Sequence, residues 1–363
     1  MFGSKKRRRQ AIAEREAFRA EIKAEVLDEV RDLLSLSRVA ANGVPNLSAL
    51  NIAVRNIDAA SLNLKFFGYE LGRKLAAALP PPTNTAPRHV GLDSKPSTQA
   101  DMESDWAAHW CGQLLTPVLF HRKLWELAFV LQAIYEQGHM RPGARGLGFG
   151  CGEEPIPSYL ASHGVAVTVT DLEAAEAQAA GWAKTNQHAA SLEQAFQPRM
   201  LDRATFDRLV DLRFVDMNAI PSDLGGYDFC WSICAFEHLG SIERGLAFVE
   251  NSLSTIRPGG LSVHTTEFNI DPNAPTIDNW PSVLFKREHF IALADRLRSK
   301  GHHVAPLDFD IGDKPMDRFI DLPPWGHDMP AEWSKWHGTG DHLKVAVDGF
   351  VSTCFGLIVR KAG

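Results

Sequence analysis

Arg145-Gly-Leu-Gly-Phe-Gly-Cys-Gly-Glu-Glu154 reads as a short strand, Arg145–Phe149, running into a glycine-rich turn. A helix near 156–163 follows. Val165-Ala-Val-Thr-Val-Thr170 is then a β-branched run suited to a strand buried on both faces. Outward from there, a helix is expected over about 117–137, stopping at Gly138, with further strands at 212–215, 227–232, 261–265 and 350–359. Helical stretches separate most of them. That alternation predicts βαβ units and a doubly wound α/β domain with a mainly parallel sheet.

Open sheets of this kind bind ligands beyond the carboxyl ends of their strands, where a glycine-rich turn offers bare backbone amides. The next strand ends at Asp171, about 20 residues after the turn, the separation at which a carboxylate reaches a ribose diol. Capping the following helix is the alternative role for that acid. A third strand ends at Asp216-Met217-Asn218, where an acid can accept from an adenine amino group and a thioether can pack on its ring. Three strand ends would then line one adenosine-sized slot.

Residues 145–268 resemble the class I S-adenosylmethionine-dependent methyltransferases. The resemblance lies in Gly148-Phe-Gly-Cys-Gly152, Thr170-Asp-Leu172, Phe214-Val-Asp-Met-Asn218, the strand Tyr227–Ile233 and Arg257-Pro-Gly-Gly260. It implies a seven-stranded, Rossmann-like sheet and an S-adenosylmethionine cofactor, released as S-adenosylhomocysteine. The implied cofactor residues are Gly148, Phe149, Gly150, Gly152, Asp171, Leu172, Asp216, Met217 and Ser232. The chain departs from the family in having Gly146 where an acid is usual, and two acids, Glu153 and Glu154, directly after the glycines. Glu153, Glu154, Arg122 or Trp125 are the candidates for holding the cofactor's amino-acid end. A nicotinamide dinucleotide fits less well, because the third glycine of its G-x-G-x-x-G fingerprint falls on Glu153, beside the expected pyrophosphate.

The fourth and fifth strands lead into Ser232-Ile-Cys-Ala-Phe-Glu237-His238 and His264-Thr-Thr-Glu267-Phe-Asn269. His238 is expected as general base, oriented by Glu237 or Glu267, with His264 near the acceptor. Nearby carboxylates are expected to raise an imidazole from its usual value of about 6.5. These segments are similar to small-RNA 2′-O-methyltransferases, whose Glu-x-x-Glu-His motif can hold a divalent metal, but Cys234 replaces the first Glu. Metal-independent chemistry is therefore favoured. Bacterial sugar and polysaccharide-pathway methyltransferases are similar over His121–Glu126, Thr265–Asn269 with Phe285–Glu288, and Asp317–Pro324 with Gly349–Arg360. That resemblance implies a sugar or glycan hydroxyl as acceptor. Trp280, Trp325, Trp333 and Trp336, interleaved with His302, His303, His327 and Asp328, suit either sugar stacking or a packed lid. Asp308, Asp310 and Asp313 are further candidates for the acceptor cleft.

The chain has 363 residues, a formal charge of −6 and five cysteines without a CxxC pair. The acidic balance disfavours a nucleic-acid partner. No apolar run approaches the ~18 residues of a membrane span, and buried free thiols suit a cytoplasmic location. Residues 10–36 read as an amphipathic helix after the basic run Lys5–Arg9. Leu47, Leu50, Val54, Ile57, Ser61, Leu64, Gly68, Leu71, Leu75 and Ala78 follow coiled-coil spacing. The expected organisation is a helical arm over 1–79, a linker over 80–101 and a methyltransferase domain over 102–363. The arm is read as making a homo-oligomer through 10–79, with membrane-surface contact through the basic run as the rival. Beside the O-methyltransferase reading stand a small-RNA 2′-O-methyltransferase and a non-catalytic cofactor-binding scaffold working through its coiled coil.

Overall fold

The computed structural model describes residues 47–81, 86–173, 191–273, 275–325 and 340–363. The basic run Lys5–Arg9, the helix expected over 10–36, and His327, Asp328, Trp333 and Trp336 lie outside the described residues. Two compact units divide between Leu64 and Lys65, inside the helix α1 (Leu47–Ala77).

Within the second unit the strands are β1 (Lys95–Pro96), β2 (Arg145–Phe149), β3 (Ala166–Asp171), β4 (Val210–Phe214) and β5 (Tyr227–Ile233). They continue with β6 (Ile256–Asn269), β7 (His303–Val304), β8 (Ile320–Asp321), β9 (Lys344–Val347) and β10 (Phe350–Arg360). The longer helices are α2 (Asp105–Gln113), α3 (Arg122–Glu136), α4 (Ile156–Ser162), α5 (Arg203–Leu209), α6 (Ile242–Ser252) and α7 (Arg287–Ser299). The sheet runs β4-β3-β2-β5-β6-β10-β9-β8, with β1 and β7 also pairing with β10. β4, β3, β2, β5 and β6 are parallel, and β10 is antiparallel to β6. The chain winds from β2 out to β4 and then restarts on the other side at β5. This reversal of winding opens a crevice at the strands' carboxyl ends.

The strands alternate between two buried layers. Phe229 and Trp231 face the layer holding Trp110, Trp125, Phe129 and Leu160, whereas Cys230 faces the one holding Phe248, Val249, Phe290 and Leu293. Both sheet faces are therefore covered, which is why the β-branched run Val165–Thr170 carries no solvent-facing polar set. The expected strands are all present. The described sheet has ten strands rather than seven: the six read from the sequence, and four short ones at its β10 side (β1, β7, β8 and β9) that are too brief to leave a hydrophobic period.

Two boundaries differ from expectation. The second half of the presumed linker 80–101 belongs to the sheet: Lys95 and Pro96 pair with Gly356 and Phe355, and Ser94 and Ser97 are fully buried. Its low hydrophobicity misled because its buried serines find hydrogen-bond partners inside the unit. Ser94 Oγ accepts the Ile358 N–H at 3.0 Å, and Ser97 Oγ meets Thr353 Oγ1 at 2.7 Å.

The end of the presumed arm also belongs to this unit. Lys65 is buried with its ammonium 2.6 Å from Asp321 Oδ1, and the Tyr69 hydroxyl donates to Asp321 Oδ2 at 2.7 Å. A side chain at Gly68 would overlap the Phe319 ring. The small residue that weakened the heptad pattern is thus where the helix lies against its own unit. Among the described residues no helix is long and apolar enough to cross a membrane.

Candidate functional site

A cleft of about 590 Å³ opens at the carboxyl ends of β2, β3 and β5 and the residues after β4. Gly150, Gly152, Asp171, Leu172, Asp216 and Met217 all line it, so the three strand ends expected to converge do share one hollow. Gly150 has φ +59°, and a Cβ there would come to 3.0 Å from Ala235 Cβ. Left-handed backbone and close approach both demand glycine at this point. Asp171 accepts the Gly152 N–H at 3.2 Å through Oδ2 and the Leu172 N–H at 2.8 Å through Oδ1, which fixes the carboxylate at the rim. Asp216 Oδ1 accepts the Asn218 N–H at 2.8 Å.

Three expected cofactor residues do not line the cleft. Phe149 points into the layer beneath, with its ring edge-on to Phe248 at 5.1 Å. Gly148 is a packing glycine, since a Cβ there would overlap Cys151 Sγ and the Trp231 ring. Ser232 is fully buried and its hydroxyl meets His264 Nδ1 at 2.8 Å. Phe149 and Ser232 sit at strand positions whose side chains lead into the buried layers and away from the crevice.

The same periodicity relocates His264. It pairs in register with Ser232, and its Nε2 is 2.6 Å from Ser262 Oγ and 3.3 Å from Ser252 Oγ. Phe248 and Phe236 stand edge-on to the ring at 5.2 and 6.1 Å. Burial without a carboxylate partner pushes its pKa down to about 3. His264 is a core imidazole, not an acceptor-site residue.

His238 does line the cleft, with about 23% of its side chain exposed. Its Nδ1 donates to the Pro281 carbonyl at 3.0 Å, which leaves the lone pair on Nε2. Nε2 lies 3.8 Å from Glu237 Oε1. Carboxylates do not raise this imidazole as expected: burial outweighs them and lowers it to about 4, so the neutral form prevails near neutrality. Orientation comes from a backbone carbonyl rather than from a Glu.

The two acids beside His238 differ. Burial raises Glu237 to about 8. Its Oε2 accepts from Thr266 Oγ1 at 2.9 Å, while Oε1 is buried without a hydrogen-bond partner. Glu267 also lies in a buried setting, but Arg122 Nη1 donates to it and Ser352 Oγ donates at 2.7 Å. These partners outweigh burial and lower its pKa. Neither acid lines the cleft; both stand behind His238 and Cys234.

At the other end, the absent acid at Gly146 has a steric cause. A Cβ there would come to 2.5 Å from the Phe229 ring, so β2 can carry no side chain at that position. Glu153 and Glu154 line the cleft instead, and Trp231 Nε1 donates to Glu154 Oε2 at 3.2 Å. Burial pushes the Glu154 carboxyl well up. Of the upstream candidates, Trp125 is buried and donates to Asp101 Oδ2 at 2.9 Å, and Arg122 is committed to Glu267. Between them Lys123 reaches the cleft, a residue the sequence reading passed over although it lies inside the quoted His121–Glu126 stretch. Burial alone would lower its ammonium, but the Cys234 and Glu126 surroundings hold it well above its usual pKa.

The expected acceptor acids lie elsewhere. Asp308 and Asp310 accept amides two residues on, from Asp310 and Gly312, both at 2.9 Å, and neither they nor Asp313 lines the cleft. His302 and His303 lie beside the end of β10, His302 accepting the Ala362 N–H at 3.1 Å and His303 pairing with Arg360. Neither Trp325, which is half-buried, nor Trp280, which is about 57% exposed and directly precedes Pro281, lines the cleft.

No family model matches the sequence, and no curated protein matches it. Solved structures do. The [4+2]-cyclase SpnF shares 16% identity and a TM-score of 0.39, over 66% of this chain and 82% of that one. The methyltransferase domain of bacterial CtHen1 shares 14% identity and a TM-score of 0.37, over 64% and 95%. The N-methyltransferase NodS from Bradyrhizobium japonicum, in complex with S-adenosyl-L-homocysteine, shares 12% identity and a TM-score of 0.35, over 64% and 84%. At such identities and scores these likenesses do not carry an activity.

Proposed function

We propose that the chain is an S-adenosylmethionine-dependent O-methyltransferase acting on a sugar hydroxyl, of a glycan precursor or nucleotide sugar. The observation that carries this reading is the convergence of Gly150, Asp171 and Asp216 on one cleft at adjacent strand ends. Asp171 would hold the ribose hydroxyls. Asp216 and Met217 would take the adenine, and the backbone at Gly150 and Gly152 would let the nucleoside approach closely. Lys123 offers a cation for the carboxylate of the amino-acid end, and Glu154, held in its neutral form by burial, offers a carboxyl oxygen that accepts from the ammonium. The arrangement lacks the phosphate-compatible rim a dinucleotide would need, since Glu153 and Glu154 stand there instead.

When bound, the cofactor supplies an electrophilic methyl on a sulfonium. The chain's own part is positioning and proton management. His238 lines the cleft in its neutral form, in the tautomer set by Pro281, and its Nε2 lone pair is the one that can accept an acceptor hydroxyl's proton. The sugar class is supported by Trp280, an exposed indole outside the cleft's lining but one residue from the carbonyl that orients His238, a flat apolar surface of the kind that stacks on a sugar ring.

Isothermal titration with S-adenosylmethionine and S-adenosylhomocysteine tests the cofactor assignment. Both are expected to bind one to one, and absence of binding by either at millimolar concentration would overturn it. A labelled-methyl transfer screen across nucleotide sugars and glycans tests the acceptor, and methyl transfer to nitrogen or carbon acceptors alone would refute the hydroxyl assignment.

A further inference from the structure

We propose that Cys234, Cys354 and Glu126 form a binding site for one borderline-soft divalent cation of the zinc class, at the wall of the cleft. Cys234 directly follows β5 and lines the cleft, Cys354 lies inside β10, and Glu126 comes from the first turns of α3. Three distant segments of sequence thus bring two thiols and a carboxylate to one point. The sulfurs are 3.9 Å apart. Tetrahedral zinc with Zn–S bonds of ~2.3 Å sets two thiolates ~3.8 Å apart, so the pair already has the spacing of a chelating edge. One carboxylate bridges both thiols: Cys354 Sγ donates to Glu126 Oε1 at 2.8 Å and Cys234 Sγ to Oε2 at 2.9 Å. Thr265 Oγ1 also donates to Oε2, at 2.5 Å, as an outer partner that orients the acid.

Glu237 supplies an independent observation. It is fully buried, one of its oxygens lies within 4.8 Å of Cys234 Sγ, and its Oε1 has no hydrogen-bond partner. Leaving such an oxygen unpaired is costly. A cation held by Cys234 would give it a counter-charge. The backbone at Cys234 is itself in the left-handed region, φ +42°, a conformation a non-glycine residue adopts only where its surroundings enforce it.

Charge balance favours the same occupant. Arg122 Nη1 is 3.8 Å from Cys354 Sγ and pairs with Glu267, and Lys123 Nζ is 3.5 Å from Glu126 Oε1. Two cations therefore already answer two carboxylates. Ionising both thiols would add two buried negative charges, and a divalent cation cancels them. A hard, oxygen-seeking cation gains little from a thiol pair, which is why the donor set points to zinc.

The test uses the full chain, reduced and stripped with chelator. One equivalent of Zn²⁺ is expected to bind and to protect Cys234 and Cys354 from alkylation, as read by peptide mass spectrometry, while Cys230 is unaffected. One equivalent of Co²⁺ is expected to give a thiolate-to-cobalt charge-transfer band. Cys354→Ser and Cys234→Ser should each weaken binding at least a hundredfold, with Cys230→Ser unchanged. The proposal is overturned if wild-type protein shows neither protection nor the band, or if either persists at full strength in Cys354→Ser.

Discussion

Ser232 Oγ and His264 Nδ1 lie 2.8 Å apart at registered positions of β5 and β6, closing a hydroxyl-lined box around a neutral imidazole. Ser252 and Ser262 complete it on the Nε2 side. The folded-state pKa of His264, about 3, is below its unfolded value, so the unfolded chain binds the extra proton first. Stability from this residue is intact above about pH 6.5 and is lost as pH falls toward 3. At pH 5 the loss is about 2 kcal/mol by proton linkage. Urea unfolding at pH 7.5 and 5 should show a smaller drop for His264→Gln than for wild type. An equal drop in both would remove the box from the account.

Asp171 is held by two backbone amides before any ligand arrives, so its carboxylate is pre-aimed at the cleft. Each hydrogen bond from a hydroxyl to a charged acceptor contributes about 1.5–3 kcal/mol. Asp171→Asn should weaken S-adenosylhomocysteine binding at least tenfold in calorimetry. Unchanged affinity would show that the ribose lies elsewhere.

His238→Gln keeps a polar side chain at the cleft but lacks the basic nitrogen. Turnover should fall by about 10²–10⁴ if the imidazole takes the acceptor's proton, with S-adenosylhomocysteine affinity within a factor of about three of wild type. Full turnover in this variant would assign the proton to another group.

Gly146→Asp restores the acid common in the resembled family, yet it should not improve cofactor binding. The new Cβ would come to 2.5 Å from the Phe229 ring, and the carboxylate would be buried there without a counter-charge. The expected loss is at least about 3 kcal/mol, from overpacking and an unpaired charge. Chemical denaturation checks this, and a variant as stable as wild type would contradict the packing argument.

What was readable in the sequence and what was not divides along physical lines. The strand β3 announced itself through a β-branched run, β5 through an aromatic one and β2 through the glycine-rich turn after it, and the cleft's Gly150, Asp171 and Asp216 followed from strand ends alone. Side-chain direction was not readable. His264 and Glu267 are three residues apart on one strand, so they face opposite layers, and only one of them reaches the polar cluster behind the cleft.

Long-range pairing was equally hidden. Cys354 is 228 residues from Glu126, and Lys65 is 256 from Asp321, so neither contact leaves a local pattern. The Phe229 ring that excludes an acid at Gly146 could be anticipated only with the β2–β5 register in hand. The buried serines of 94–97 looked like linker because composition counts polarity and not the partners that polarity finds, the Ile358 amide for Ser94 and the Thr353 hydroxyl for Ser97.

β10 is the last strand in chain order, yet it sits inside the sheet, with β6 and β9 on its flanks and β1 and β7 also paired to it. The earlier strands therefore wait for it. While residues 350–360 are still unmade, β6 exposes a long unpaired border rich in apolar side chains, an invitation to join with another chain. Assembly of this half of the molecule becomes an all-or-nothing event that waits on residues 350–360, and a nascent chain halted just short of them would be prone to clumping rather than partly active.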